Sequence, residues 1–141
     1  MTSKTSILLL VTLLCWGITP IIEKIGLKSA SPLAGATVRS IAITTGLLLI
    51  TFFTNRTKEL FSLGARDVIT FSLSGLLAGL VAMLAYFHLL QQNETSRIVP
   101  VTASYPLVTA LLSYLVLSES ITPQKAIGTV LIVSGIYLVK L

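Results

Sequence analysis

Five long apolar runs, separated by short polar joints, constrain this chain more than any other feature. They extend over about residues 5–25, 33–53, 68–90, 99–117 and 123–139. A helix that spans a bilayer needs roughly 20 mostly apolar residues. Only 11% of the 141 residues are charged, against about 25% in soluble domains. The sequence therefore predicts an all-α integral membrane protein, a single domain of five transmembrane helices over residues 1–141.

The basic residues indicate topology rather than nucleic-acid binding, because they are spread through the joints and not clustered with aromatic side chains. The amino-terminal side of a five-helix chain holds five of them, Lys4, Arg56, Lys58, Arg66 and Lys125. The other side holds four, Lys24, Lys28, Arg97 and Lys140. The positive-inside rule thus favours a cytoplasmic amino terminus only weakly, and a snorkelling Arg39 makes the two sides equal. Alternatively, the three basic residues of the joint between helices 2 and 3, Arg56, Lys58 and Arg66, set the orientation alone. Fixed and dual topologies therefore both stay open.

Helix 1 has one polar face, because four of its side chains recur at steps of four, three and four: Thr12, Trp16, Thr19 and Glu23. Pro20 lacks an amide hydrogen and its ring clashes with the preceding turn, so we expect a bend there. Two interpretations of Glu23 stay open. It is either an interfacial carboxylate paired with Lys24, or a cation or proton site at the mouth of a cavity.

Helices 2, 3 and 5 carry capping and packing signals. Ser31 and Thr122 are predicted N-caps, each followed by a proline at the first helical position. Arg39 lies seven residues into helix 2, roughly 10 Å along the axis. At that depth its guanidinium must snorkel to the surface, pair with another group or face the protein interior. Its role is either structural anchoring or contact with a substrate or a lipid phosphate. On helix 3, a close-packing face is predicted, formed by Gly75, Gly79, Ala82 and Tyr86. Glu119, before helix 5, is assigned either a structural role near the helix dipole or ligand binding.

Helix 4 places a proline within its apolar run. Pro100 falls in the predicted first turn and is harmless there, whereas Pro106 leaves the carbonyl of Thr102 without its helical partner. Broken backbone in a membrane needs protein or water around it, so the face around Pro106 is predicted to point inward. That face also carries Thr109 and Ser113, with Tyr105 adjoining.

Enzyme chemistry has little support in the sequence. No two carboxylates share a helical face, no nucleophile has a base nearby, and no metal-ligand spacing occurs. Cys15 is the only cysteine and His88 the only histidine. We therefore predict no catalytic residues, no cofactor and no metal.

Several motifs in order resemble a known family. They are "WG" at Trp16 followed by Lys24, then Arg39, then "YP" at Tyr105, and finally "LVLSESITPQKAIGTVLIVSGIYLV". Together they resemble the EamA-type domain of the drug/metabolite transporter superfamily. The resemblance implies two inverted five-helix repeats around a central cavity, so this chain would be one half of a ten-helix inverted-repeat transporter. The other half would then come from a second copy inserted upside down or from a half-sized paralogue.

The resemblance also implies a function, a permease or exporter of a small metabolite that works by alternating access in the inner cell membrane. Substrate contacts would come from the polar faces of helices 1 and 4 and from helix 2, namely Trp16, Thr19, Arg39, Tyr105 and Thr109. Glu23 and Glu119 would serve in coupling or gating, and Pro20 and Pro106 as helix hinges. Two alternatives stay open: a flippase subunit for a polyprenyl-phosphate sugar or other lipid, since Arg39 suits a phosphate, and a non-transporting membrane scaffold.

Overall fold

The computed structural model describes residues 3–120 and 122–140, and every regular element within these ranges is helical. The elements are α1 (Ser3–Gly26), α2 (Pro32–Phe53), α3 (Thr57–Phe61), α4 (Ala65–Ser74), a π-helical stretch (Gly75–Ala82), α5 (Met83–Gln92), α6 (Thr95–Thr102), α7 (Tyr105–Leu117) and α8 (Pro123–Lys140). The predicted domain ends, residues 1 and 141, lie outside the described residues.

Among the described residues, four helical segments are long and apolar enough to cross a membrane: Ser3–Gly26, Pro32–Phe53, Ala65–Gln92 and Thr95–Leu117. A shorter apolar helix follows at Pro123–Val139. Most of their large apolar side chains are exposed, as lipid-facing side chains must be. The prediction of an all-α membrane protein is confirmed. The short helix α3, in the joint after α2, was not predicted, because a single amphipathic turn of this length leaves no periodic signal.

Local chemistry sets several helix ends. The Ser31 hydroxyl accepts from the amide of Ala34 at 3.2 Å, and the Thr122 hydroxyl accepts from the amide of Lys125 at 3.3 Å, so both predicted N-caps form. At the other end of α2, Asn55 adopts a left-handed conformation with φ of 55°. The amides of Asn55 and Arg56 then donate to carbonyls of the last helical turn, the arrangement of a Schellman cap.

The described residues form two compact units, one up to Gln92 and one from Asn93 onward. The first unit packs α5 against α1 and α2 around a small core of four buried side chains, Leu27, Ala36, Phe87 and Leu90. Gly35 lies at the contact between α2 and α5, where a Cβ atom would lie 3.3 Å from Cε2 of Phe87, so a larger residue would require that ring to shift by a few tenths of an ångström. The core is small because most of the large apolar side chains are exposed, as expected of helices that face lipid.

A reciprocal pair of side-chain contacts ties the end of α1 to the end of α5. The Lys24 ammonium donates to the carbonyls of Leu90 at 2.6 Å and Gln91 at 3.2 Å. In the opposite direction, the Gln91 side-chain amide donates to the carbonyls of Leu27 at 2.9 Å and Ala30 at 3.2 Å. The last carbonyls of a helix have no partner within the helix. Lys24 therefore supplies a donor to the free carbonyls at the end of α5, and Gln91 supplies one to carbonyls of the turn that follows α1.

The π-helical stretch changes the face that the third membrane segment (Ala65–Gln92) presents to α2. A groove of about 370 Å³ beside α2 is lined from this helix by Gly75, Gly79, Leu80 and Leu84. Hydrogen bonds in a π-helix run from residue i to i+5, so each turn takes more residues than an α-helical turn. The groove-lining face consequently departs after Gly79 from the predicted face, which continued through Ala82 and Tyr86.

The second unit contains α6, α7 and α8, with α6 packed against α8. None of its described residues is buried. In the fourth membrane segment (Thr95–Leu117) the two prolines do not lie where the sequence predicted. Pro100 lies within α6. Pro106 lies in the first turn of α7, which follows a turn at residues 103–104. The reason is that the helix begins at Thr95, within the polar joint, so the apolar run marks the membrane-facing part and not the start of the helix.

Candidate functional site

A cavity of about 500 Å³ opens in the first unit, between residues of α1, α2 and α5. Its polar lining comes from Thr19, Glu23 and Arg39, and its apolar walls include Ile22, Val38 and Phe87. Small residues at the end of α1, in the α1–α2 turn and in early α2 leave the space open, namely Gly26, Ala30, Ala34 and Gly35. The cavity is thus an apolar chamber with one polar wall.

Helix periodicity places the polar groups. Thr19 and Glu23 are four residues apart on α1, so they lie one above the other on the same face. Gly35 and Arg39 have the same spacing on α2, so the position that faces Phe87 also directs the arginine toward the cavity. The Thr19 hydroxyl donates to the carbonyl of Cys15 at 2.7 Å, and its oxygen keeps lone pairs that accept further hydrogen bonds.

Glu23 and Arg39 form an ion pair across α1 and α2. Nε of Arg39 lies 3.3 Å from Oε1 of Glu23, and the side chains are 36% exposed for Arg39 and 10% exposed for Glu23. Despite this distance, Oε1 is buried and has no hydrogen-bond partner among the described residues. The two atoms are therefore close enough for Coulombic attraction, but the N–H is not aligned with the oxygen as in a hydrogen bond.

The sequence predicted three of these cavity residues, Thr19, Glu23 and Arg39, without predicting that Glu23 and Arg39 meet. The two interpretations of Glu23 gave it Lys24 as a partner or made it a cation or proton site. In the described structure its ionic partner is Arg39 of α2. Trp16, expected on the same face, is 67% exposed and is not among the described residues that line this cavity. Pro20 is buried within α1, which continues past it to Gly26.

A second cavity, of about 750 Å³, lies within the second unit, along α7, α8 and the joint between them. The remaining predicted site residues all line it: Tyr105, Pro106, Thr109 and Glu119. The Thr109 hydroxyl donates to the carbonyl of Tyr105 at 3.2 Å, and the ammonium of Lys125, also in the lining, donates to the carbonyl of Ser120 at 3.3 Å. The cavity thus carries hydroxyl, phenol and charged groups.

Few of the groups in the two cavities are of the kind that ligate metal ions. Each cavity contains one carboxylate, Glu23 or Glu119, beside hydroxyl and basic groups, whereas hard cations require several oxygen ligands. Within residues 3–120 and 122–140, no group of three or more His, Cys, Asp or Glu side chains is found.

Sequence patterns did not identify the residues that build the first cavity around its charges. Phe87 lies in an apolar run where any side chain could be the buried one. Lys24 was considered as a topology charge, as a partner of Glu23 and as a motif residue, but not as a donor to the end of another helix, although a basic side chain in the last turn of a helix is a known signal for binding free carbonyls. Gln91 lies in a polar joint, and no pattern distinguishes it from Gln92.

Comparisons with known proteins agree with this architecture. The model of the EamA-like transporter family matches residues 3–141. An uncharacterized transporter of Helicobacter pylori is 28% identical over 133 residues, which are 94% of this chain and 44% of that protein. An uncharacterized protein of Methanocaldococcus jannaschii is 29% identical over 76 residues, which are 54% of this chain and 56% of the relative.

The chain spans about half the length of the curated relatives that it matches. No solved structure matches it. The family match extends over all four long apolar helices and the shorter fifth one. The chain is therefore a multi-pass membrane protein that belongs to the EamA-like transporter family.

Proposed function

We propose that this protein transports a small metabolite across the inner cell membrane by alternating access, as an antiparallel dimer of five-helix subunits. The observation that carries the proposal is the first cavity, where a buried carboxylate and a partly exposed guanidinium meet between apolar helices. Ionisable groups in such surroundings are costly and generally mark substrate or ion pathways. Membership of a transporter family supports the same function.

Two observations support a dimer. The chain aligns over nearly its whole length with less than half of the Helicobacter pylori transporter, which fits one repeat of a two-repeat protein. The basic residues are almost equally divided between the two sides of the predicted topology, which suits a subunit that inserts in both orientations. Inverted repeats around a central site are the general architecture of alternating-access transporters. A half-sized paralogue is the alternative source of the second repeat.

Each predicted residue has a role in this proposal. Thr19 and Arg39 bind substrate in the first cavity, and Tyr105 and Thr109 bind it in the second. Trp16 contacts substrate from the exposed part of α1. Glu23 and Glu119 act in coupling or gating, and Pro20 and Pro106 permit the helices to bend.

Uptake into proteoliposomes tests the proposal. Tyr105→Ala and Thr109→Ala should each lower the transport rate by about tenfold, the effect of one or two lost substrate contacts. Tyr137→Ala and Thr51→Ala are matched controls, because Thr51 donates to its own i−4 carbonyl as Thr109 does. If both cavity variants transport as the controls do, the second cavity is not part of the pathway.

Reporter fusions after Lys140 test the arrangement in the membrane. Reporters that are active in the cytoplasm and in the periplasm should both give signal when the same chain inserts in two orientations. Signal from one side only contradicts an antiparallel homodimer and leaves a paralogue as the partner.

Flipping of a phospholipid or a lipid-linked sugar is the second candidate function, and Arg39 is the observation that favours it. A partly exposed guanidinium at a cavity between apolar helices matches the geometry of a phosphate. Lipid phosphorus that copurifies with the protein and is lost in Arg39→Ala would support this function over metabolite transport.

A further inference from the structure

The π-helical stretch (Gly75–Ala82) is not held in its conformation by its own side chains. All eight of its residues are exposed, so no buried side chain fixes its hydrogen-bond register. π-Helices are rare, occur mostly as single turns and are frequent at functional sites. The flanking backbone is α-helical, with φ and ψ of −58° and −45° at Ser74 and of −67° and −41° at Met83. The stretch can therefore become α-helical by exchanging hydrogen-bond partners, without a break in the helix.

The register of this stretch is set from its carboxyl-terminal side, by the contacts of α5. Phe87 and Leu90 are buried in the small core, and the Gln91 side chain donates to two carbonyls of the α1–α2 turn. Leu90 and Gln91 follow Phe87 by three and four residues, so all three share one face of α5. Lys24 of α1 adds a charged donor at the end of the same helix. These contacts hold α5 in one rotational position, and that position requires the π-helical register before it.

A change of register would turn α5 about its own axis. A π-helical bond joins residues five apart and an α-helical bond joins residues four apart. Loss of one π-helical turn thus moves the register by one residue, which corresponds to about 100° of rotation in an α-helix. Such a rotation carries Phe87 and Gln91 away from α1 and α2. Phe87 is part of the wall of the first cavity, and so is Leu27, whose carbonyl accepts from Gln91.

We propose that a helical switch gates the first cavity. Residues 75–82 change between π-helix and α-helix, and the contacts of Lys24 and Gln91 form a latch that holds the π-helical state. With the latch closed, Phe87 completes the cavity wall; with the latch released, α5 rotates and the cavity opens beside the α1–α2 turn. Alternating access requires a gate with two states. This inference rests on the proposed transport function, for which it names the moving part.

Distances between spin labels on α1 and α5, measured by pulsed electron paramagnetic resonance, test the switch in the full chain. The labels are attached at Ile25→Cys and Ala85→Cys, two exposed positions outside the latch, in a Cys15→Ser background that removes the native thiol. Dilution with unlabelled chains in lipid nanodiscs limits the signal to distances within one chain. Rotation of α5 should move its label by up to about 8 Å, the chord of a 100° turn on a helix about 10–12 Å across. The rotated state should therefore give a second, resolved distance.

Two variants release the latch. Lys24→Met and Gln91→Leu each remove the donor to carbonyls of another segment, so each should raise the population at the second distance by about tenfold. Gln92→Leu changes the adjacent exposed residue and should leave the distribution as in the wild type. A distribution that only broadens, without a second peak, indicates a loosened helix end and overturns the switch.

Variants of the π-helical stretch decide the matter if loss of the latch prevents folding. The double variant Gly75→Ala and Gly79→Ala keeps the latch, and a Cβ atom meets nothing within 4 Å at either position. Because alanine has the strongest preference for the α-helix, the second distance should again gain about tenfold in population. Gly46→Ala in α2 is the matched control, since a Cβ there also meets nothing within 4 Å. One unchanged distance in the latch and glycine variants overturns the switch.

Uptake of a radiolabelled metabolite extract by proteoliposomes separates this inference from the transport function. A second distance in the variants, without uptake by the wild type, supports the switch and contradicts transport. Uptake by the wild type, with one unchanged distance in every variant, supports transport and overturns the switch. Variants that show the second distance and take up the label at the wild-type rate overturn the role of the switch as a gate.

Discussion

The two units of the chain satisfy their polar groups in different ways. In the first unit, Lys24 and Gln91 donate to carbonyls that are 66 and 64 positions away in the chain, and four of the described side chains form a buried apolar core. In the second unit, the hydroxyl of Thr109 and the ammonium of Lys125 donate to carbonyls four and five residues away, and none of the described residues is buried. The first unit therefore has tertiary structure of its own, whereas the stability of the second depends more on what surrounds it.

The largest expected difference concerns an aromatic side chain in each unit. Phe87 is 3% exposed and Tyr114 is 55% exposed. Phe87→Ala should lower the free energy of unfolding by about 3 kcal/mol, at the low end of the range for buried aromatics, because in a bilayer the lost term is packing rather than transfer from water. Tyr114→Ala should change it by less than about 0.5 kcal/mol. Equilibrium unfolding in bicelles measures both, and equal losses would contradict the contrast between the units.

A smaller difference is expected between two lysines that both donate to backbone carbonyls. Lys24→Met should lower the free energy of unfolding by about 2 kcal/mol, because the carbonyls of Leu90 and Gln91 lose a charged donor. Lys125→Met removes an exposed contact of 3.3 Å between the first turn of α8 and the joint before it and should cost less than about 0.5 kcal/mol. The same unfolding measurement applies. A Lys24→Met variant as stable as wild type would show that the contact between the ends of α1 and α5 does not stabilise the unit.

The smallest difference is expected between two glycines. A Cβ at Gly35 would lie 3.3 Å from Phe87, whereas one at Gly128 meets nothing within 4 Å. Gly35→Val should cost about 1 kcal/mol, since overpacking against Phe87 outweighs the better helix propensity of valine. Gly128→Val should leave unfolding of the subunit unchanged and weaken dimerisation only if a second copy packs there. Cross-linking in liposomes measures the dimer, and a loss of subunit stability in Gly128→Val would refute the contrast.

Features of the fold that depend on neighbouring residues were predictable from the sequence. Ser31 and Thr122 cap their helices as expected, because an N-cap involves only the residues that follow it. The apolar runs identified the membrane helices, because the bilayer sets their length. The positions predicted for Pro100 and Pro106 within their helices were wrong, because apolar content does not show that α6 begins in a polar joint.

Features that depend on contacts between helices were not predictable. Arg39 was expected to snorkel, pair or face the interior, and only the packing of α1 and α2 selects Glu23 as its partner. Likewise, the π-helical stretch after Ser74 changes the phase of the helix, and the exposed apolar sequence of that stretch is equally compatible with an α-helix. The single candidate residues were therefore visible in the sequence, whereas their grouping into two cavities was not.

The contact of Lys24 with Leu90 has a consequence for biogenesis. These residues are 66 positions apart, and ribosomes add roughly 5–20 residues per second, so helix α1 reaches the membrane several seconds before its carbonyl partners exist. During that interval the Lys24 ammonium must remain in water at the membrane surface, as long basic side chains do. The end of α1 is thus held at the interface when the orientation of the nascent chain is being decided, and it becomes enclosed only when α5 arrives.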